Sequence, residues 1–248
     1  MIEGHKDIRE AYRDTHVARE YVARRFREPL GAMLHERQVA RMRDVAGTTN
    51  PRHVLEIAPG PARVTVDLAP SFATAGVLMD ASAQMLAEAQ GRLVESGQPG
   101  WRLIQGDAFH LPFATSFDLV YSFRLIRHFD DADRGRLYQS IHKVLRPGGL
   151  LVFDAVNVTV GRSVRERSGN ACQHYDALLT RDEIQAEVER AGFRLIRTDP
   201  VQRHYALLYQ LQVLVAPRSR RLARWGMEIV DRVPGGEPLE WIVTCERV

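Results

Sequence analysis

The chain is poor in cysteine and in lysine. Cys172 and Cys245 are its only thiols, with no CxxC pair, so neither a zinc site nor a disulfide framework is suggested, and a reducing compartment, the cytoplasm, is the simplest expectation. Lys6 and Lys143 are the only lysines among 34 basic residues, which face 31 acids for a net charge of +3. No run of five or more bases occurs, which argues against a nucleic-acid partner, because such a protein gathers positive charge in a stripe or tail. The start, MIEGHKDIRE, lacks the apolar core of a signal peptide, and the most apolar stretch, 205–217, is too short and too glutamine-broken to span a bilayer, so no membrane partner is expected. Repeats and low-complexity tracts are also missing. With 45% hydrophobic residues over 248 positions, the remainder reads as one globular core rather than a disordered or fibrous chain.

Residues 1–50 read as an N-terminal helical cap, Arg-, Glu- and Ala-rich, split near EPLG at 28–31. From 53 onward the texture changes to short apolar runs: HVLEI, AGVLMD, WRLIQ, FDLVYS and LLVFDAV, then FRLIRTD and LEWIVTCERV near the end. Continuous rather than alternating apolarity points to strands covered on both faces. Helical patterns at 62–69, 82–96 and 132–145, and a capping box at Thr180 and Glu183, alternate with them. The expectation is an α/β, Rossmann-like, doubly wound parallel sheet over 51–248, with a helical insertion at 203–233 that could act as a lid.

Three strands end in acids. VLEIAPGPARVT (54–65) carries Glu56 and a tight turn around Gly60, whose small residues and following helix start would let a ligand approach the backbone. Asp80 closes the next strand twenty residues later, the spacing at which a carboxylate reaches a ribose hydroxyl pair, although it could equally cap the following helix. QGDAFHLPF places Asp107 and the amide of Ala108 at the same sheet edge, where an adenine amine could be read. Ligands collect at such edges in doubly wound sheets.

These segments, with FDLVYSFRLIRHF and LRPGGLLVF, run in the order found in class I S-adenosylmethionine-dependent methyltransferases, which the chain resembles over about 54–153. The resemblance implies a seven-stranded sheet with a reversed C-terminal hairpin and S-adenosylmethionine as cofactor. It places Glu56, Ala58 and Gly60 beside the methionine part, Asp80 with Ala81 at the ribose, Asp107 and Ala108 at the adenine, and Ser122 in the same set. Ala58 and Ala62 stand where the family usually has glycine. His128 falls in the stretch beneath the reactive methyl and could act as a base, or be structural. Arg124 and Arg127 could pair with an anionic acceptor, or be ordinary surface arginines. AYRDTHVAREYVARRF (11–26) is similar to a helix that precedes the core in many small-molecule methyltransferases, which would bring Tyr21 and Tyr12 over the cofactor and Arg25 to its carboxylate. His16, His174 and Tyr175 are weaker acceptor-side candidates. No metal is expected. The expected activity is methyl transfer to a small molecule in a biosynthetic pathway. The alternatives are a nicotinamide-dependent reductase, which should show a complete GxGxxG, a noncatalytic scaffold, and a methyltransferase for RNA or protein.

Overall fold

In a computed structural model, residues 28–114, 116–168 and 176–248 are described. Pro29 opens α1 (Pro29–Thr49) at its first position, where a missing N–H costs nothing, and Asn50 closes it in the left-handed region. The order then runs β1 (Val54–Ile57), α2 (Arg63–Leu68), β2 (Val77–Asp80), α3 (Ala83–Glu95), β3 (Arg102–Gln105), β4 (Phe117–Ser122), α4 (Asp131–Val144) and β5 (Leu145–Asn157). After these come α5 (Val158–Ser168), β6 (Leu178–Leu179), α6 (Arg181–Arg190), β7 (Phe193–Arg203), α7 (Tyr205–Gln210), α8 (Arg220–Arg232) and β8 (Pro238–Arg247). Side-chain caps set several helix starts: Ser82 accepts from the Met85 N–H, Asp130 from Asp133, and Thr180 shares a capping box with Glu183.

The sheet order is β3-β2-β1-β4-β5-β8-β7, with the short β6 beside β5. β1 to β6 pair in parallel, while β8 runs antiparallel between β5 and β7, which is the reversed hairpin. Continuous apolarity has the expected cause. Leu55 and Ile57 pack with Tyr138, Ile141 and Ile184 on one face, and Val54 packs with Met42, Val64 and Leu93 on the other. Pro200 is tolerated because β7 is an edge strand.

Three details depart from the sequence reading. β5 begins at Leu145 rather than 150, β7 reaches Arg203 rather than 199, and the segment after β5 contains α5 and β6, which the pattern did not reveal. Gly161 explains part of this: a Cβ there would lie 2.8 Å from Leu178 and 2.9 Å from Val156, so a poor helix former is required for close packing. The insertion after β7 is helical as expected, with a π turn (Leu211–Val215) between α7 and α8.

Candidate active site

Parallel register aligns the carboxyl ends of β1, β2 and β3: Ile57 sits beside Met79, and Asp80 beside Gln105. A cleft with about 1060 Å³ of empty space, part of it open to solvent, lies along this edge. Among the expected residues, Glu56, Ala58, Gly60, Asp80, Ala81, Asp107, Ala108, Arg124 and His128 all line it.

The turn after β1 holds Ala58, Gly60 and Ala62 at φ 54°, 55° and 52°. Glycine adopts this region freely, whereas each alanine carries about 1–2 kcal/mol of backbone strain there. The helix start expected to face a ligand is that of α2, and the N–H groups of the turn before it are already engaged. Ala58 donates to the Met79 carbonyl (2.7 Å), Gly60 to Asp80 Oδ2 (3.0 Å) and Ala62 to the Pro59 carbonyl (3.1 Å). Pro59 and Pro61 have no N–H to offer. The turn therefore shapes the cleft without presenting donors from 58–62, and leaves N–H contact with a ligand to the start of α2, where Arg63 and Val64 line the cleft.

Asp80 accepts from Gly60 and, through Oδ1, from the Ser82 N–H at 2.9 Å. Two N–H donors leave a carboxylate capacity for two hydroxyls. Burial raises its pKa, against those same N–H groups. Glu56 is more enclosed still: burial lifts its pKa to about 7, while the Thr65 hydroxyl, Arg63 and Tyr121 pull in the opposite direction. Thr65 donates to Glu56 Oε2 and lies 2.8 Å from the Tyr121 hydroxyl. Arg63, which also lines the cleft, donates to Gln38 Oε1 at 2.6 Å and contacts His35 Nδ1, while His35 Nε2 meets Asp67 at 2.5 Å. Arg63, Thr65 and Tyr121 escaped the sequence reading, although the first two lie inside the very motif it used.

The segment after β4 turns sharply. Arg124 takes φ 64°, and its N–H donates to Asp154 Oδ1 at 2.6 Å. His128 Nδ1 lies 3.1 Å from Asp176 Oδ1, whose carboxyl burial would raise but which His128, Arg127 and Arg124 together hold well below the usual range. Asp176 carried no sequence motif.

Two expectations are displaced. Arg127 does not reach the cleft: its guanidinium is buried among Glu240 (2.9 Å), Asp176 (3.2 Å) and Asp154 (3.4 Å), and these carboxylates push its pKa up. Ser122 is fully buried, donating to the Ile57 carbonyl at 2.8 Å, and ties β4 to β1 rather than facing the cleft. Tyr12, His16, Tyr21, Arg25, His174 and Tyr175 lie outside the described residues. Neither α1 nor the 203–233 insertion contributes to the lining among the described residues. The insertion packs instead on α1, where Leu208 and Met227 meet Leu30 and Met33.

The chain thus folds as a doubly wound parallel sheet with a reversed final hairpin, and its cleft lies at the carboxyl edge, where such sheets collect ligands. Residues 54–149 match the sequence model of the family described as the methyltransferase domain. No curated protein matches the chain. Among solved structures, magnesium protoporphyrin IX methyltransferase from Synechocystis PCC 6803, with bound SAH, is similar at TM-score 0.68 and 14% identity, over 97% of this chain and 98% of that one. The DhpI–SAH complex is similar at TM-score 0.64 and 18% identity, over 96% and 94%. The [4+2]-cyclase SpnF is similar at 0.62 and 17%, over 85% and 80%, so the fold is not confined to proteins named for methyl transfer. Residues 54–149 thus carry the signature of a methyltransferase domain, and the chain as a whole shares the fold of these solved structures.

Proposed function

We propose that the protein transfers a methyl group from S-adenosylmethionine to a small-molecule acceptor bearing an ionisable hydroxyl or amine, in a biosynthetic pathway. The observation that carries the reading is the cleft itself. It offers a ribose-competent carboxylate at Asp80 and a buried acid at Glu56, which suits a cationic ligand and opposes an anionic pyrophosphate. That combination favours a sulfonium nucleoside over a nicotinamide dinucleotide.

When bound, S-adenosylmethionine supplies a methyl already activated by its sulfonium. The chain's own residues then align and deprotonate the acceptor. Asp80 would hold the ribose, and Asp107 and Ala108 flank the adenine end. Phe109, Phe123, Leu125 and Phe129 form one apolar part of the lining, with Phe109 and Phe129 edge to face at 5.0 Å, and suit an acceptor with an apolar body. His128 is the proposed base. With Nδ1 held by Asp176, proton uptake falls to Nε2, and Asp176 acts as a positioning residue. Alignment alone can supply much of the acceleration, so the base adds to proximity rather than replacing it. Arg124 is the remaining candidate for an anionic substituent.

The test is transfer of labelled methyl to a panel of apolar hydroxyl and amine compounds. Wild type should label at least one class, and His128→Asn should lower kcat by about 10²-fold or more with KM little changed. Labelling confined to added RNA or protein would overturn the small-molecule reading, and an unchanged kcat in His128→Asn would remove the base.

A further inference from the structure

Eleven large hydrophobic side chains are exposed among the described residues, and eight of them lie between Leu207 and Val233. On α8, Leu222, Trp225 and Ile229, with Val233 just beyond, stand three or four positions apart and so form one stripe, while Ala223 and Met227 turn inwards. The π turn lies against the same helix: a Cβ on Gly226 would be 3.4 Å from Leu211. Leu207 and Leu214, four before and three after Leu211, extend the apolar surface. This surface is absent from the cleft lining and has no role in the proposed chemistry.

Charge identifies its partner. Residues 203–233 contain six arginines and two acids. Both acids are engaged from α1, since Arg37 reaches Glu228 at 3.1 Å and Asp231 at 3.0 Å, and Asp231 also accepts from the Arg203 N–H. Arg220, Arg224 and Arg232 are paired in turn with Glu28, Glu36 and Glu228, but Arg221 and Arg232 stand four before and seven after Trp225, bordering the stripe, and the Arg232 side chain stays 76% exposed. A second copy is a poor occupant, because a two-fold contact would set this arginine fringe against itself with both nearby acids already paired. An anionic lipid surface satisfies the apolar stripe and the fringe together.

We propose that the 203–233 insertion is a membrane-docking surface that lies in the headgroup region of an anionic phospholipid bilayer. No described helix is long and apolar enough to cross a membrane, and this mode requires none. The sequence expectation of no membrane partner rested on the lack of a signal-peptide core and of a spanning stretch, neither of which addresses a helix lying flat.

The experiment uses the full chain with vesicles of phosphatidylcholine, alone or in equal parts with phosphatidylglycerol. Trp101 and Trp241 are 4% and 8% exposed against 66% for Trp225, so a change in tryptophan emission reports on the stripe. The protein should float with the anionic vesicles and its emission should shift to the blue, and added salt should weaken both. Arg221→Gln and Arg232→Gln should each weaken partitioning about fivefold, and Leu222→Ser combined with Ile229→Ser should abolish flotation without changing the circular dichroism. No flotation with anionic vesicles, variants that bind like wild type, or a concentration-dependent dimer that shifts Trp225 emission without lipid would each overturn the proposal.

Discussion

Glu56 is a carboxyl group that folding makes harder to ionise, and the consequence is a measurable pH dependence. Its pKa rises from the ordinary 4.5 to about 7, chiefly through burial. Between those values the folded chain binds a proton that the unfolded chain has lost, so stability falls as pH rises through the window and levels off above it. At about 1.4 kcal/mol per unit, the whole window is worth roughly 3 kcal/mol. Glu56→Gln keeps an oxygen for the Thr65 hydroxyl and removes the titration. The difference in unfolding free energy between wild type and Glu56→Gln, from urea titrations between pH 4 and pH 8, should therefore shift against wild type by roughly 3 kcal/mol. Asp80 is raised in the same direction, but both proteins carry it, so the comparison isolates Glu56. A cationic ligand in the cleft favours the ionised form and should be taken up with release of a proton below neutrality. A difference that stays flat across the range would refute the burial argument.

Other perturbations have signed outcomes. Arg127→Met leaves Asp154, Asp176 and Glu240 without their shared cation and should cost about 3–5 kcal/mol, read as a large fall in Tm; wild-type stability with a raised acceptor KM would return Arg127 to the substrate. At Gly76 an added Cβ would lie 2.6 Å from the Val54 carbonyl and 2.8 Å from Trp101, so Gly76→Ala should destabilise by about 1–3 kcal/mol or more. Gly60→Ala meets nothing closer than Met85 Sδ at 3.9 Å, and its cost should be confined to about 1–2 kcal/mol of backbone strain at φ 55°; a loss well above about 2 kcal/mol would show that φ strain alone does not govern the turn.

What was legible in the sequence follows from locality. Runs such as VLEI and FDLVYS are buried on both faces, so composition alone marks them as central strands, and an acid closing such a run must lie at the sheet edge. Glu56, Asp80 and Asp107 could be read for that reason. Arg127 could not be placed, because its partners Asp154 and Glu240 lie 27 and 113 residues away and meet it only when β8 inserts beside β5. Asp176 was invisible on the same ground: its contact with His128 crosses from the segment before β6 to the turn after β4. Ser122 was misplaced by one detail of pleat, its hydroxyl turning to the Ile57 carbonyl instead of the cleft. The turn itself shows the limit of motif reading. Its glycine and prolines signalled close approach, but only the hydrogen bonds of Ala58, Gly60 and Ala62 reveal that its amides are already satisfied.

The most direct test of the account is calorimetric titration of the full chain with S-adenosylmethionine, S-adenosylhomocysteine and NADPH, set beside an Asp80→Ala variant whose folding is checked by circular dichroism. Binding of the first two and not of NADPH, lost in the folded variant, is the result that the cleft's two carboxylates, Asp80 and Glu56, require. Binding of NADPH, or undiminished S-adenosylhomocysteine binding in the folded Asp80→Ala variant, would contradict it.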